Sequence, residues 1–376
     1  MFSLKTAIAL SFITLASFWI ARQAITNADS SIGISLLKTE VDKTLRFNSN
    51  HEFTILQFTD LHFGEDEDKD KNTASLQEFL IATVKPDIVV ITGDAVSGYS
   101  WDKKSPDFYR KNWEKFTAAF TKMGIRYAFT LGNHDTDADL NAKEVGELDK
   151  THSYSLFNGT DTIDPKSYSN YHLEVKSSFK EFKDQTTALL WIFDSKNRGC
   201  MDVPESWGCL TENQLEWYLR TSAEYMNTDQ YSFVQGLAFF HIPLVEFMEL
   251  WNYGKTSGTK SDMVSCPLVN TNAFSVFRSA HNIKSIFVGH DHNNDYFGNF
   301  KGIDLAYGRK TGFGGYGPDL KHGARVIKLS EYVEPGTGNL MFNIRSHIIQ
   351  EDGSIIEPEE PTYQGDDGFQ ITCDSS

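Results

Sequence analysis

Eight residues carry the chemistry of a metal site. Asp60, His62, Asp94, Asn133, His134, His241, His290 and His292 offer carboxylate, amide and imidazole atoms and no sulfur. Donors of this kind suit borderline to hard cations such as Zn, Fe or Mn. A single cation takes roughly three or four protein ligands, so eight residues exceed one site. Two cations about 3.5–4 Å apart, sharing one carboxylate, would employ the whole set. Any one of these histidines taken alone is more often a hydrogen-bonded core residue. Their weight lies in where they stand.

Each stands at the end of an apolar run. Residues 53–58 lead to Asp60 and His62, residues 87–92 to Asp94, and residues 126–131 to Asn133 and His134. Residues 236–240 lead to His241, where Pro243 stops the strand. Residues 286–288 lead through Gly289 to His290 and His292. Short apolar runs closed by glycine or proline read as buried strands. Helical spacing occupies residues 73–84 and 106–123, and the charged stretch GEDEDKDK before the first reads as an exposed loop. Strand–helix alternation predicts βαβ units and a parallel sheet. In open α/β sheets, sites form beyond the carboxyl ends of the strands. Residues 188–193 read as another strand, 272–281 as a short helix, and Thr211 to Gln214 as a capping box. Strands at 302–306, 324–329 and 340–349 follow without long helices, which predicts antiparallel members. The fold class is α/β, with central mixed β-sheets flanked by helices.

The chain has 376 residues and a formal net charge of −16, which argues against a nucleic-acid partner. After Lys5, residues 7–21 are uncharged and Arg22 closes the run. This predicts a signal peptide over residues 1–28 and a secreted or secretory-pathway protein. Two candidate cleavage sites keep an uncleaved anchor, and with it a membrane contact, as the alternative. The four cysteines form no CxxC. An even count behind a signal suggests disulfides. Cys200 and Cys209 close a short loop, Cys266 and Cys373 pair by elimination only, and four free thiols are the alternative. Asn158-Gly159-Thr160 is a glycosylation sequon.

Asp60-x-His62, Gly93-Asp94, Gly132-Asn133-His134-Asp135, His241 and Gly289-His290-x-His292 resemble the five blocks of the calcineurin-like metallophosphoesterases, in order and spacing, over residues 52–330. FFHIPL, GHDHNND and the later GFGGYG look closer to the purple-acid-phosphatase-like group with the Dcr2-type phosphatases. The resemblance implies a four-layer αββα fold and a catalytic domain over residues 50–350; the acidic, apolar-poor composition of residues 351–376 predicts a loosely ordered tail. It implies two divalent or trivalent ions, with Asp60, His62 and His292 on the first, Asn133, His241 and His290 on the second, and Asp94 bridging. A metal-bridging hydroxide would attack a phosphomonoester, small or carried on a protein, and His134 would protonate the leaving oxygen. A phosphodiesterase with the same site and a non-catalytic metal-binding module are the alternatives. Purple acid phosphatases have tyrosine where Ser97 stands and glycine where His62 stands, so a coloured Fe–tyrosinate centre is not expected. The arginine of phosphoprotein phosphatases is also missing after Asp94. Arg309 and Asn294 are candidates to orient phosphate, Asp295 to hold a ligating histidine, and Asp135 to orient His134 or cap the next helix.

Overall fold

The computed structural model describes residues 41–227, 232–317 and 319–374, and the predicted signal segment lies outside them. β1 (Leu45–Arg46) and β2 (Glu52–Phe58) precede α1 (Glu67–Val84), β3 (Ile88–Thr92), α2 (Phe108–Met123), β4 (Tyr127–Thr130) and α3 (Ala142–Lys150). Next come β5 (Tyr171–Lys176), β6 (Thr186–Ile192), a hairpin of β7 (Arg198–Cys200) and β8 (Val203–Trp207), and α4 (Glu212–Glu224). β9 (Gln235–Phe239), α5 (Val245–Tyr253), β10 (Lys255–Thr256), α6 (Ala273–Ala280) and β11 (Ile283–Val288) follow. The last elements are β12 (Phe297–Phe300), β13 (Ile303–Tyr307), β14 (Gly323–Val333), β15 (Leu340–Gln350), β16 (Ile355–Ile356) and β17 (Thr362–Tyr363).

Two large sheets result. One has the order β16-β15-β14-β2-β3-β4, with β2, β3 and β4 parallel and β14 antiparallel to both β2 and β15. The other has the order β1-β5-β6-β9-β11-β13-β12, with β6, β9, β11 and β13 parallel. Alternation along each strand decides what the sheets face. On β6, Leu190 and Ile192 join the core shared with β2, β3 and β4, while Leu189 and Trp191 pack with Trp217 and Tyr218 of α4. Both faces are apolar, so the strand is sandwiched between a sheet and a helix layer. Each such side chain contributes about 1.5–3 kcal/mol on burial. A one-residue slip would exchange the two faces.

The carboxyl ends of the parallel strands from both sheets meet. His241 after β9 donates from Nδ1 to Thr92 O at the end of β3, at 2.7 Å. The His290 amide after β11 donates to Asp60 Oδ2 at 3.2 Å.

Two expectations are corrected. The GEDEDKDK stretch is largely helical, because Asp66 caps α1 by accepting from the amides of Asp68 and Lys69. Glu67, Asp68 and Asp70 then favour the positive end of the helix dipole. The acidic tail is not loose. β17 pairs with β10, and Gln370 both donates to Val264 O (2.9 Å) and accepts from Val264 N (2.8 Å). Disulfides join Cys266 to Cys373 and Cys200 to Cys209. No helix among the described residues is long and apolar enough to cross a membrane.

Candidate metal centre

Backbone strain marks the place. Asp60, His62, Asp94 and His290 all have φ between 52° and 78°, in the left-handed region. Such residues cost of order 1–3 kcal/mol each and persist where surrounding bonds over-determine them. Gly93, at φ 87°, stands where a Cβ would meet His241 Nδ1 at 2.5 Å. Glycine there lets the β3 end approach the imidazole.

Among the described residues, the ligand atoms of Asp60, His62 and His292 gather within 4.8 Å of one another, and so do those of Asp60, Asp94 and His241. Asp94 Oδ2 lies 3.3 Å from His241 Nε2 and 3.6 Å from His62 Nε2, so it faces both groups. Asn133 Oδ1 is 2.9 Å from His241 Nε2. The His290 ring packs edge to face on that of His241, with centroids 5.0 Å apart. All seven side chains are buried.

The rings are aimed from behind. His241 and His292 donate from Nδ1 to the carbonyls of Thr92 (2.7 Å) and Tyr316 (2.8 Å). A carbonyl can only accept, so each Nδ1 carries a hydrogen and each Nε2 points inward. Tyr316 also stacks on His292 with centroids 3.9 Å apart. Support of this kind sets ligand tautomer and orientation.

These residues fit a cation. His62 Nε2 and His292 Nε2 face each other at 3.2 Å. Burial draws His62 well below the usual imidazole range and Lys310 adds to it. Burial and Lys310 lower His292 also. Two neutral imidazoles therefore oppose lone pairs, which a shared positive charge would stabilise. Burial lowers His241 too, but Asp94 and Asp60 outweigh it and raise it to about 10. A field that draws a proton there draws a metal ion as well. His290 Nε2 is buried with no hydrogen-bond partner, an arrangement that costs about 1–3 kcal/mol unless a ligand meets it.

His134 is different. Its amide donates to Asp94 Oδ1 at 2.8 Å, and its Nδ1 lies 2.8 Å from Asp137 Oδ2. Its side chain is 31 % exposed, where the ligands are closed off. Burial pulls it down, but Asp94 and Asp137 raise it above the ordinary imidazole value, which favours the acid form.

Two supporting roles, of Asp135 and Asp295, are corrected. Asp135 neither orients His134 nor caps a helix. It is buried and accepts from the amides of Gly132, Asp94 and Val96 at 2.8–3.0 Å, pinning two loops of the site. Asn294 accepts from the amides of Ser261 and Asp262. Arg309 pairs with Asp295 and donates to Lys321 O, while its Nε and the Asn294 Nδ2 are buried without a partner. Asp295 holds Arg309 and the Thr259 amide rather than a ligating histidine. Sequence reading missed Asp137, whose only signal is its place three residues after His134. It also missed Lys310, which is buried, donates to Asp60 O at 3.2 Å, and is lowered by burial to about 8. A cleft of about 1210 Å³ adjoins the His134 loop, lined by Gly132, Thr136, Asn197, Arg198 and Leu215 among others.

Comparison with known proteins agrees with this geometry. A family model described as "Calcineurin-like phosphoesterase" matches residues 53–294. "Probable inactive purple acid phosphatase 28" of Arabidopsis thaliana is 30% identical over 318 residues, 78% of this chain and 79% of that protein. "Phosphatase DCR2" of Saccharomyces cerevisiae is 26% identical over 65% of this chain and 45% of its own length. The solved structure of a dimetal phosphatase from Danio rerio superposes with a TM-score of 0.53 at 13% identity, covering 83% of this chain and 99% of that one.

Proposed function

The chain belongs to the calcineurin-like phosphoesterase family, and on that premise we propose that it hydrolyses phosphomonoesters at a two-metal site within residues 50–350. Asp60, His62 and His292 would hold one cation and Asn133, His241 and His290 the other, with Asp94 shared. Two cations there, whether Zn, Fe or Mn, would lower the pKa of a bound water and stabilise charge on the phosphoryl oxygens. His134 supplies the proton for the leaving oxygen from Nε2, while Asp137 holds Nδ1.

The observation that carries a catalytic reading is the placement of His134. It is anchored to Asp94 yet reaches solvent, so its acid group can meet an ester without leaving the ligand frame. The adjoining cleft has room for the organic part of a large ester, including a phosphoprotein segment. The plant relatives carry "probable inactive" in their names, which supports a second reading as a metal-binding module without turnover. The two disulfides favour an oxidising compartment, and the exposed Asn158 suits a glycan, so we place the protein in the secretory pathway.

Turnover of p-nitrophenyl phosphate and its bis ester by the purified protein, before and after chelation and metal add-back, tests the proposal. Monoester turnover that disappears on chelation and returns with metal is expected. Turnover that survives full chelation would exclude the two-metal site. A preference for the diester would replace phosphatase with phosphodiesterase, and metal uptake without turnover would favour the binding module.

A further inference from the structure

Glu65 lies in the charged stretch between β2 and α1, and one of its oxygens collects three hydrogen bonds. Oε1 accepts from Ser97 Oγ at 2.8 Å, from the Gly315 amide at 2.7 Å, and from the Tyr99 hydroxyl. Each donor leads to a different member of the candidate centre.

The Ser97 arm leads to His62, whose Nδ1 is 2.8 Å from Ser97 Oγ. Serine has one hydroxyl hydrogen. Given to Glu65, it leaves the Ser97 oxygen to accept from His62 Nδ1–H. The Nε2 lone pair of His62 then faces inward. The Gly315 arm leads to His292. A Cβ on Gly315 would stand 2.7 Å from His292 Cε1 and 3.0 Å from His62 Cδ2, so this loop lies against both rings. The next residue, Tyr316, holds His292 by its ring and carbonyl. The Tyr99 arm leads to His134. The Tyr99 ring meets that of His134 edge to face at 4.5 Å.

We infer that Glu65 is a positioning residue that fixes both imidazoles of the first metal and the acid His134 through these three arms. The inference rests on the two-metal reading above. Ser97, noted from sequence only as a departure from the purple acid phosphatases, thereby becomes the partner of the added His62.

The test uses the full-length protein, stripped of metal and titrated calorimetrically with Zn²⁺ or Mn²⁺, with kcat then measured at saturating metal. Glu65→Gln should weaken one of the two equivalents by about 10–100-fold, the usual effect of removing such support. It should also lower kcat at saturating metal. Ser97→Ala should weaken the same equivalent and leave the other at its wild-type affinity. Tyr99→Phe should leave both affinities and reduce kcat alone. Circular dichroism controls for folding, and Ser97→Ala and Tyr99→Phe remove too little to unfold the chain. Glu65→Gln with wild-type affinity and kcat would overturn the inference alone. So would equal loss of both equivalents in all three variants, which marks general packing. Wild-type protein that takes up no metal would overturn the two-metal reading and this inference with it.

Discussion

Trp207 closes on His290 edge to face, with ring centroids 4.5 Å apart and planes at 84°. Trp207 ends β8, in the hairpin that Cys200–Cys209 closes, and Arg198 from β7 lies over its other flank at 3.9 Å. The hairpin thus walls His290, whose Nε2 has no hydrogen-bond partner. Removing the ring would let His290 leave its inward rotamer. Trp207→Ala is expected to weaken uptake of one metal equivalent by about tenfold or more, and Trp207→Phe to restore most of it. Selective reduction of Cys200–Cys209 should act in the same direction. Calorimetric metal titration is the check, and unchanged affinity in Trp207→Ala would leave the hairpin no part in ligation.

Asp94 and His134 touch, yet their loss should differ. Asp94 faces His62, His241 and the His134 amide, so Asp94→Ala removes a carboxylate from both metal groups. That variant should hold fewer than two metals per chain by elemental analysis. His134→Ala should hold two and lose roughly 10²–10⁴-fold in kcat, the range of a positioned general acid. Asp137→Asn should fall between, with metal intact. Equal metal loss in Asp94→Ala and His134→Ala would dismiss these roles.

The candidate ligands were legible because each closes an apolar run, and a parallel sheet puts strand ends on one edge. Asp60, Asp94 and His241 follow β2, β3 and β9 for that reason. What supports them was hidden. Glu65 sits among charges that look like solvated loop, and its three partners are 32, 34 and 250 residues away. Trp207 lies within a disulfide loop whose path no periodicity reveals. Asp295 misled by proximity to the GHDH stretch. It pairs with buried Arg309 beside β13, so its carboxylate is not spared for a histidine.

Acid stability should depend on Glu174 of β5. Burial pushes its carboxyl up, but Lys176, Thr186 and Tyr225 overcome this and hold it at about 2, below the ordinary 4.5. A carboxyl depressed in the folded state stabilises above the unfolded value and loses that contribution as pH falls toward 2. The side chain is 35 % exposed, so solvent screening should keep the effect below about 1 kcal/mol. Urea midpoints of wild type and Glu174→Gln should differ at pH 7 and converge as pH falls from about 4.5 to 2. A difference that grows with acid would reverse the assignment.

The Cys266–Cys373 bridge should govern stability without governing metal. It spans 107 residues, and in the chain-entropy picture a loop of that size stabilises by about 4.7 kcal/mol, with losses of roughly 2–5 kcal/mol on removal of native bridges. The tail it holds is packed through defined bonds. Trp251 Nε1 donates to Asp367 O at 2.8 Å, and Asn252 Nδ2 to Gln370 O at 2.6 Å. The hydrogen bonds that aim His62, His241 and His292 come from Ser97, Thr92 and Tyr316, none of them in the tail. Cys373→Ser should therefore lower the unfolding free energy by about 2–5 kcal/mol and keep two metals per chain. Truncation after residue 350 should cost more, because it also removes β17 and the Gln370 bonds to Val264. Denaturant unfolding with elemental analysis reads both quantities. Metal loss in Cys373→Ser at a temperature where the chain stays folded would show that the tail reaches the centre, with the Val264–Ser265 segment the route, since the Ser265 amide donates to Asp291 between the two histidines.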